Sequence, residues 1–180
     1  MGAALEIAVE ELRFRLRGEL YEPGEPGFEE ACTRLNAMVE RRPRLVARCS
    51  AAEDVIASLA FARERGLAVA VRGGGHSVAG PPLCAGDVVI DLRGMRDVEV
   101  DRDRGVARVG GGASLADLER GTRAHGLACA DLLAAQLVTA EGRIVRTAAD
   151  ENPDLLWALR TGNANFGVVT SLELGLTPRR

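Results

Sequence analysis

Apolar residues recur at three- and four-residue intervals at the start of the chain, at Leu5, Val9, Leu12 and Leu16, which predicts an amphipathic helix over residues 4–17. The run Glu22-Pro23-Gly24-Glu25-Pro26-Gly27 then breaks regular structure, and a short polar helical stretch begins near Phe28. Residues 45–48 read as a short strand. Ser50 stands three residues before Glu53, the spacing of a capping box, and Val55, Ile56, Leu59 and Ala60 continue at helical period to about residue 65, where Gly66 closes the helix. Residues 67–71 form an apolar strand that ends in Gly73-Gly74-Gly75. This order of strand, helix, strand and loop predicts a small parallel sheet.

The second half changes period. Residues 88–92, 98–100 and 106–109 are three β-rich runs punctuated by Gly94, Asp101, Asp103 and Gly105, and together they read as a meander. Ser114 opens a helix through Leu115, Leu118 and Glu119 that ends at Gly126. Residues 132–139 and 143–146 flank a hairpin-like turn at Ala140-Glu141-Gly142. Asn152-Pro153 starts a last helix through Trp157 and Leu159, and residues 166–174 form a final strand.

Composition narrows the class. The 180 residues carry 47% apolar and 27% charged side chains, the balance of a folded domain with its own core. A net charge of −3, with Arg41-Arg42-Pro43-Arg44 as a local solvated cluster, argues against a nucleic-acid partner. Cys32, Cys49, Cys84 and Cys129 show no C-x-x-C pairing and only two histidines accompany them, so a zinc site is not expected. Glu6, Glu10 and Glu11 lie where a signal peptide would be basic and apolar, and no segment has the length of a membrane span. The expectation is a cytoplasmic protein with reduced thiols and no membrane partner.

The candidate chemistry lies in Arg72-Gly73-Gly74-Gly75-His76-Ser77-Val78. Three residues without a Cβ let backbone approach a ligand closely and leave successive N–H groups free to cup a diphosphate, with Arg72 supplying positive charge. The spacing is not that of a dinucleotide fingerprint, since Val78 stands where the third glycine belongs, and Leu115 does the same after Gly110-Gly111-Gly112. A Walker loop needs a lysine, and the chain has none.

Taken in order, the phrases RRPRLVARC, AVRGGGHSVAG, DVVIDLRGM, VEVD, ARVGGGASLADLERGTRAHGLA, LVTAEGRIVR, ENPDLLWALR and NFGVVTSLEL resemble the FAD-binding (PCMH-type) domain of FAD-linked oxidases of the vanillyl-alcohol oxidase fold, berberine-bridge-enzyme-like members above all. The resemblance implies an α+β fold of two α/β subdomains, a small parallel sheet and a mainly antiparallel one. It assigns residues 1–40 to a helical lead-in and 41–180 to the FAD-binding domain. It also implies FAD held by Arg72, Gly73, Gly74, Gly75, His76, Ser77 and Val78 around the pyrophosphate, with His76 bonded to the flavin. Gly167, Val168 and Val169 fall on the adenine side.

The chain departs from that pattern in three places. Relatives carry a run of glycines where Thr161-Gly162-Asn163-Ala164 stands, so side chains enter a close backbone approach. Between Gly126 and Leu132 only Leu127-Ala128-Cys129-Ala130-Asp131 remains where relatives carry a second glycine-rich stretch. A Gly-Leu-Ala-like phrase flanks that stretch on both sides in relatives and occurs once here, which implies an internal deletion and makes Cys129 an ordinary thiol. The sequence also stops before the substrate domain that supplies the family's catalytic base, so no catalytic residue is assigned; His125, Asp131 and Glu141 read as turn or loop residues. The expectation is an FAD-binding domain of an oxidoreductase, truncated and with little turnover of its own. Its partners are FAD and either a separate substrate-domain chain or a second copy. A flavin-free remnant or split component, and a non-catalytic binding module, stay open as alternatives.

Overall fold

The computed structural model describes residues 3–32, 42–74, 87–161 and 165–179. Two sheets share one core. The first has the strand order β1-β2-β4-β3, built from β1 (Glu19–Tyr21), β2 (Leu45–Arg48), β3 (Val69–Arg72) and β4 (Val88–Asp91). β4 is parallel to β2 and to β3, and β1 adds an antiparallel edge. The helix between β2 and β3 is α3 (Ala52–Glu64), closed at Gly66, whose φ of 61° suits a residue without a Cβ. Leu45, Ala47, Val88 and Ile90 turn one face of the sheet to Val55, Phe61 and Ala62 of α3 and to Val9 and Leu12 of α1 (Ala3–Arg15). The other face carries Val46 and Val89 against Phe28 and Ala31 of α2 (Phe28–Cys32). The expected lead-in is therefore built into the first layer: α1 fills its core and β1 extends its sheet.

The second sheet is antiparallel throughout, with the order β5-β6-β9-β7-β8. It contains β5 (Val98–Asp101), β6 (Val106–Gly110), β7 (Leu127–Val138), β8 (Ile144–Ala148) and β9 (Val168–Pro178), with α4 (Leu115–Arg123) and α5 (Pro153–Arg160) packed on it. Val138 and Val168 reach from this sheet into the core formed by α1, α3 and the first sheet, so the two sheets are joined by one apolar cluster.

Two local expectations change. The meander does not form, because residues 88–91 go to the first sheet while β5 and β6 make a hairpin in the second. The pattern explains the split: Val-Val-Ile-Asp is buried at all four positions, as a central parallel strand requires, whereas β5 alternates half-buried and exposed residues. The Ser50–Glu53 capping box also does not form. Ala51 is the N-cap, and Asp54 turns back to accept from the Ser50 N–H at 2.8 Å and the Ser50 hydroxyl at 3.1 Å. The same carboxylate accepts from the N–H groups of Arg17 and Gly18, at 2.8 and 3.1 Å. Asp54 thus ties the end of α1 to the start of α3 through backbone N–H groups, whereas Glu53, exposed one position earlier, reaches only as far as the Arg17 guanidinium, at 3.9 Å.

Candidate functional site

The three parallel strands end in one row. Arg48, Asp91 and Arg72 are register partners across β2, β4 and β3, on the face that carries Val46 and Val89. Asp91 is fully buried and accepts from Arg93 three times through the guanidinium, at 2.6, 2.9 and 2.9 Å, and once through the backbone N–H at 3.0 Å. Those bonds hold the Arg93 pKa above its ordinary value, against the opposing effect of burial. Arg48 lies 3.6 Å from the same carboxylate. Arg72 is 3% exposed, and its guanidinium donates to the Ala31 carbonyl of α2 at 2.6 Å. The charge that precedes the glycines is therefore lodged inside the strand-end layer.

After Arg72 the chain passes between the sheets. A Cβ on Gly74 would overlap the Ala113 carbonyl, and one on Gly73 would meet the Gly111 oxygen at 3.0 Å. The second triplet is packed as closely: Gly110 against Met95, Gly111 against the Val169 carbonyl, Gly112 against the Leu92 carbonyl. Its N–H groups are committed to protein, Gly111 to Thr170 and Gly112 to Met95, each at 2.9 Å. Gly167 adds the third strand of this seam. Its φ of 155° and its contact with the Val138 carbonyl both exclude a side chain, and it delivers buried Val168 and half-buried Val169 into β9.

The structure thus brings Arg72, Gly73 and Gly74 and the Gly167–Val169 segment to one seam, joined by the Gly110–Gly112 turn. Gly75, His76, Ser77 and Val78 lie outside the described residues, as do Cys84, Gly162, Asn163 and Ala164. Sequence reasoning set the second triplet aside for failing a dinucleotide spacing. The signal that finds it is simpler: three glycines directly after a strand mark a close crossing of backbones, whatever their spacing.

The N-terminus of α4 beside Gly74 is already satisfied. Ser114 accepts from the Asp117 N–H at 3.1 Å, and the Asp117 carboxylate accepts from the Ser114 N–H at 3.0 Å and its hydroxyl at 2.7 Å. The Ser114 hydroxyl above all holds the Asp117 pKa below its ordinary value.

The segment between Gly126 and Leu132 runs within one strand of the second sheet. Leu127, Ala128 and Cys129 pair with Pro178, Thr177 and Leu176, and pairing resumes at Leu132 with Leu174, with register shifts after Cys129 and after Leu132. The two flanks are collinear pieces of one strand, and Ala130 and Asp131 form the irregularity between them. Cys129 is half-buried, and burial raises its thiol pKa. Among the described residues no group of three metal-binding side chains comes together, and no helix is long and apolar enough to cross a membrane.

These residues fit a flavin dinucleotide by their chemistry. Consecutive glycines leave a parallel sheet at the carboxyl ends of its strands, the edge where open α/β sheets take their ligands. At that edge Arg93 and Arg48 lie against the buried carboxylate of Asp91, and Arg72 is its register partner on β3.

Comparison with known proteins agrees. Residues 43–142 match the family described as FAD binding domain. The chain is 34% identical to (R)-6-hydroxynicotine oxidase of Paenarthrobacter nicotinovorans over 191 positions, covering 89% of this chain and 42% of that protein. Since 89% of 180 residues is about 160, that alignment holds about thirty positions more than this chain supplies. An FAD-linked oxidoreductase of Bacillus subtilis is 28% identical, with 91% of this chain and 44% of the relative covered. Among solved structures, 6-hydroxy-D-nicotine oxidase of Arthrobacter nicotinovorans superposes with a TM-score of 0.83 at 32% identity, over 91% of this chain and 43% of that one. The fold is shared with a berberine-bridge-enzyme-like protein of Physcomitrella patens, TM-score 0.85 at 21% identity over 94% of this chain and 44% of the other. The chain spans less than half the length of the relatives it matches. With family, fold and strand-end site in agreement, the chain belongs to the FAD-binding domain family of FAD-linked oxidoreductases.

Proposed function

We propose that this domain holds FAD on the seam between its two sheets, with Arg72, Gly73, Gly74, Gly75, His76, Ser77 and Val78 around the pyrophosphate and Gly167, Val168 and Val169 on the adenine side. The observation that carries the reading is that Gly73–Gly74 and the strand that Gly167 opens both pack on the one turn after β6, Gly73 on Gly111, Gly74 on Ala113 and Val169–Thr170 on Gly111. The loop's N–H groups take the diphosphate, and Arg72 stiffens its stem through Ala31. His76 supplies a neutral imidazole nitrogen for a covalent bond to the flavin. A related likeness supports that bond: the glucooligosaccharide oxidase of Acremonium strictum is described with a 6-S-cysteinyl, 8α-N1-histidyl FAD, and it shares the fold at a TM-score of 0.84. Cys129, half-buried at the strand junction, is not assigned the cysteinyl role.

Bound FAD supplies two-electron acceptance from an alcohol or C–H donor and return of those electrons to oxygen. The chain's own part is to bind and orient the cofactor. Orientation of the donor and exclusion of water belong to further protein, so the isolated chain has little turnover. That further protein is a separate substrate-domain chain, a second copy or the remainder of a longer polypeptide, in a cytoplasmic setting that keeps the thiols reduced. Leu133, Ile144, Trp157 and Phe166, all at least 40% exposed on or beside β7, β8, α5 and β9, favour a covering partner over a free-standing module.

The test is the visible absorption and fluorescence of the purified chain before and after acid precipitation. Flavin retained in the precipitate establishes the covalent site, and flavin released to the supernatant establishes binding without the bond. A colourless chain that takes up no added FAD overturns the proposal in favour of a flavin-free component.

A further inference from the structure

The geometry points to Asp91 as a positioning residue for the flavin seam, acting through Arg93 and the turn that follows β4. This rests on the FAD-binding reading above and extends it to a residue outside the assigned cofactor segments, the register partner of Arg72 on the neighbouring strand.

The chain of contacts is continuous. Asp91 ends β4 and caps the 3-10 turn Leu92–Gly94 by accepting from the Arg93 N–H at 3.0 Å, while its two oxygens hold the Arg93 guanidinium. The carbonyls of that turn form the floor of the second glycine triplet. Gly112 lies against the Leu92 carbonyl and donates to the Met95 carbonyl at 2.9 Å, and Gly110 lies against Met95 from the other side. The triplet in turn carries both cofactor segments. Gly111 donates to Thr170 and packs on the Val169 carbonyl, its own oxygen faces Gly73, and Ala113 backs Gly74. Both stretches assigned to FAD therefore stand on a turn whose conformation a single buried carboxylate sets.

Burial makes that control effective. A carboxylate with no solvent exposure depends on the groups around it, here two guanidiniums and one N–H, and it holds them in return. An Asp91→Asn side chain keeps the shape and can still cap the turn, yet loses the charge that fixes Arg93 and draws Arg48. The Leu92–Met95 carbonyls then shift, and no glycine of the triplet has a side chain with which to resist.

The experiment uses the full chain, labelled with 15N, in wild-type, Asp91→Asn, Arg93→Gln, Arg93→Lys and Asp91→Asn/Arg93→Gln forms. Amide hydrogen exchange at Gly111 and Gly112 is read without flavin, and FAD affinity by fluorescence titration. Asp91→Asn is expected to keep a cooperative fold while speeding exchange at Gly112 at least tenfold and weakening FAD at least tenfold. Arg93→Lys recovers part of both effects, and the double variant is no worse than Asp91→Asn alone, as members of one unit behave. If Asp91→Asn does not fold, Arg93→Gln, altered at a side chain 28% exposed, carries the same two measurements. A folded variant with unchanged exchange at Gly111 and Gly112 overturns the support, and changed exchange with unchanged FAD affinity overturns the positioning role. Wild type that takes up no FAD sinks the cofactor reading and the positioning role with it, leaving exchange to report the support of the turn alone.

Discussion

Gly74 lies against the carbonyl of Ala113 with no room between them for a side chain. The glycine loop is thus clamped to the second sheet before it meets any cofactor, and substitutions in it report on two things at once. Gly74→Ala should destabilise the flavin-free chain by about 1–3 kcal/mol, the range for overpacking a filled site. Gly73→Ala should cost less, because its Cβ would stand 3.0 Å from the Gly111 oxygen and a small shift relieves it. Urea unfolding of the flavin-free variants decides the matter. Equal midpoints for Gly74→Ala and wild type would show that the stem does not cross at Ala113.

His76→Ala separates attachment from binding. The glycines that approach the diphosphate are untouched by the change, so the variant should release all its flavin on acid precipitation yet still take up FAD with weakened affinity. Flavin surviving in the acid pellet of this variant would move the attachment to another residue.

Much of this fold is legible in the sequence because most elements are punctuated locally. Gly66 closes α3, Ser114 opens α4 and Asn152-Pro153 opens α5, and each boundary follows from the chemistry of one or two residues. Strand partnership is less local. Residues 88–91 read as the first strand of a meander until their burial on both faces places them between β2 and β3, and what distinguishes the cases is the tertiary cover on each face. Capping failed for a related reason: Asp54 rather than Glu53 meets Ser50, since Asp54 also accepts from the backbone N–H groups of Arg17 and Gly18, 37 and 36 residues earlier. At the candidate site, the sequence draws attention to the glycines and not to the residues that brace them. Asp91 sits at the end of an apolar strand, and nothing in Val-Val-Ile-Asp announces three bonds to a guanidinium two residues later.

The α4 cap gives a pH dependence of definite sign. Hydrogen bonds from Ser114 hold the Asp117 pKa below its ordinary value, with Arg120 adding to the effect. A depressed carboxylate stabilises the fold fully above the unfolded-state pKa and loses that contribution as pH falls through the folded one. Asp117→Ala should therefore melt below wild type at pH 7, and the gap should narrow steadily once the pH drops below about 4. Ser114→Ala should cost about 1 kcal/mol near neutrality, the usual loss for a removed cap. Thermal melts of the three proteins from pH 7 to 2.5 test both. A gap that stays constant into acid would mean the carboxylate form of Asp117 does not stabilise α4.

Cys49 sets the alkaline limit. Its thiol is fully buried, and burial first, then the neighbouring charge of Asp54, push its pKa up from 9.0 to about 12. In the unfolded chain the thiol ionises at its ordinary value, while the folded chain keeps it neutral. Stability is therefore complete below about pH 9 and falls as pH rises toward 12. Tyr21, its hydroxyl raised by burial and by its bond to Glu19, adds to the same decline, so the two must be separated. Cys49→Ala should flatten the loss of stability between pH 9 and 11 and leave the Tyr21 part in place. A thiol reagent at pH 8 should react with Cys49 only as fast as the chain unfolds, because the thiolate is the reacting form. Labelling of Cys49 at the rate of an exposed cysteine, or an alkaline slope identical in Cys49→Ala and wild type, would show that this thiol is not sealed beneath α3.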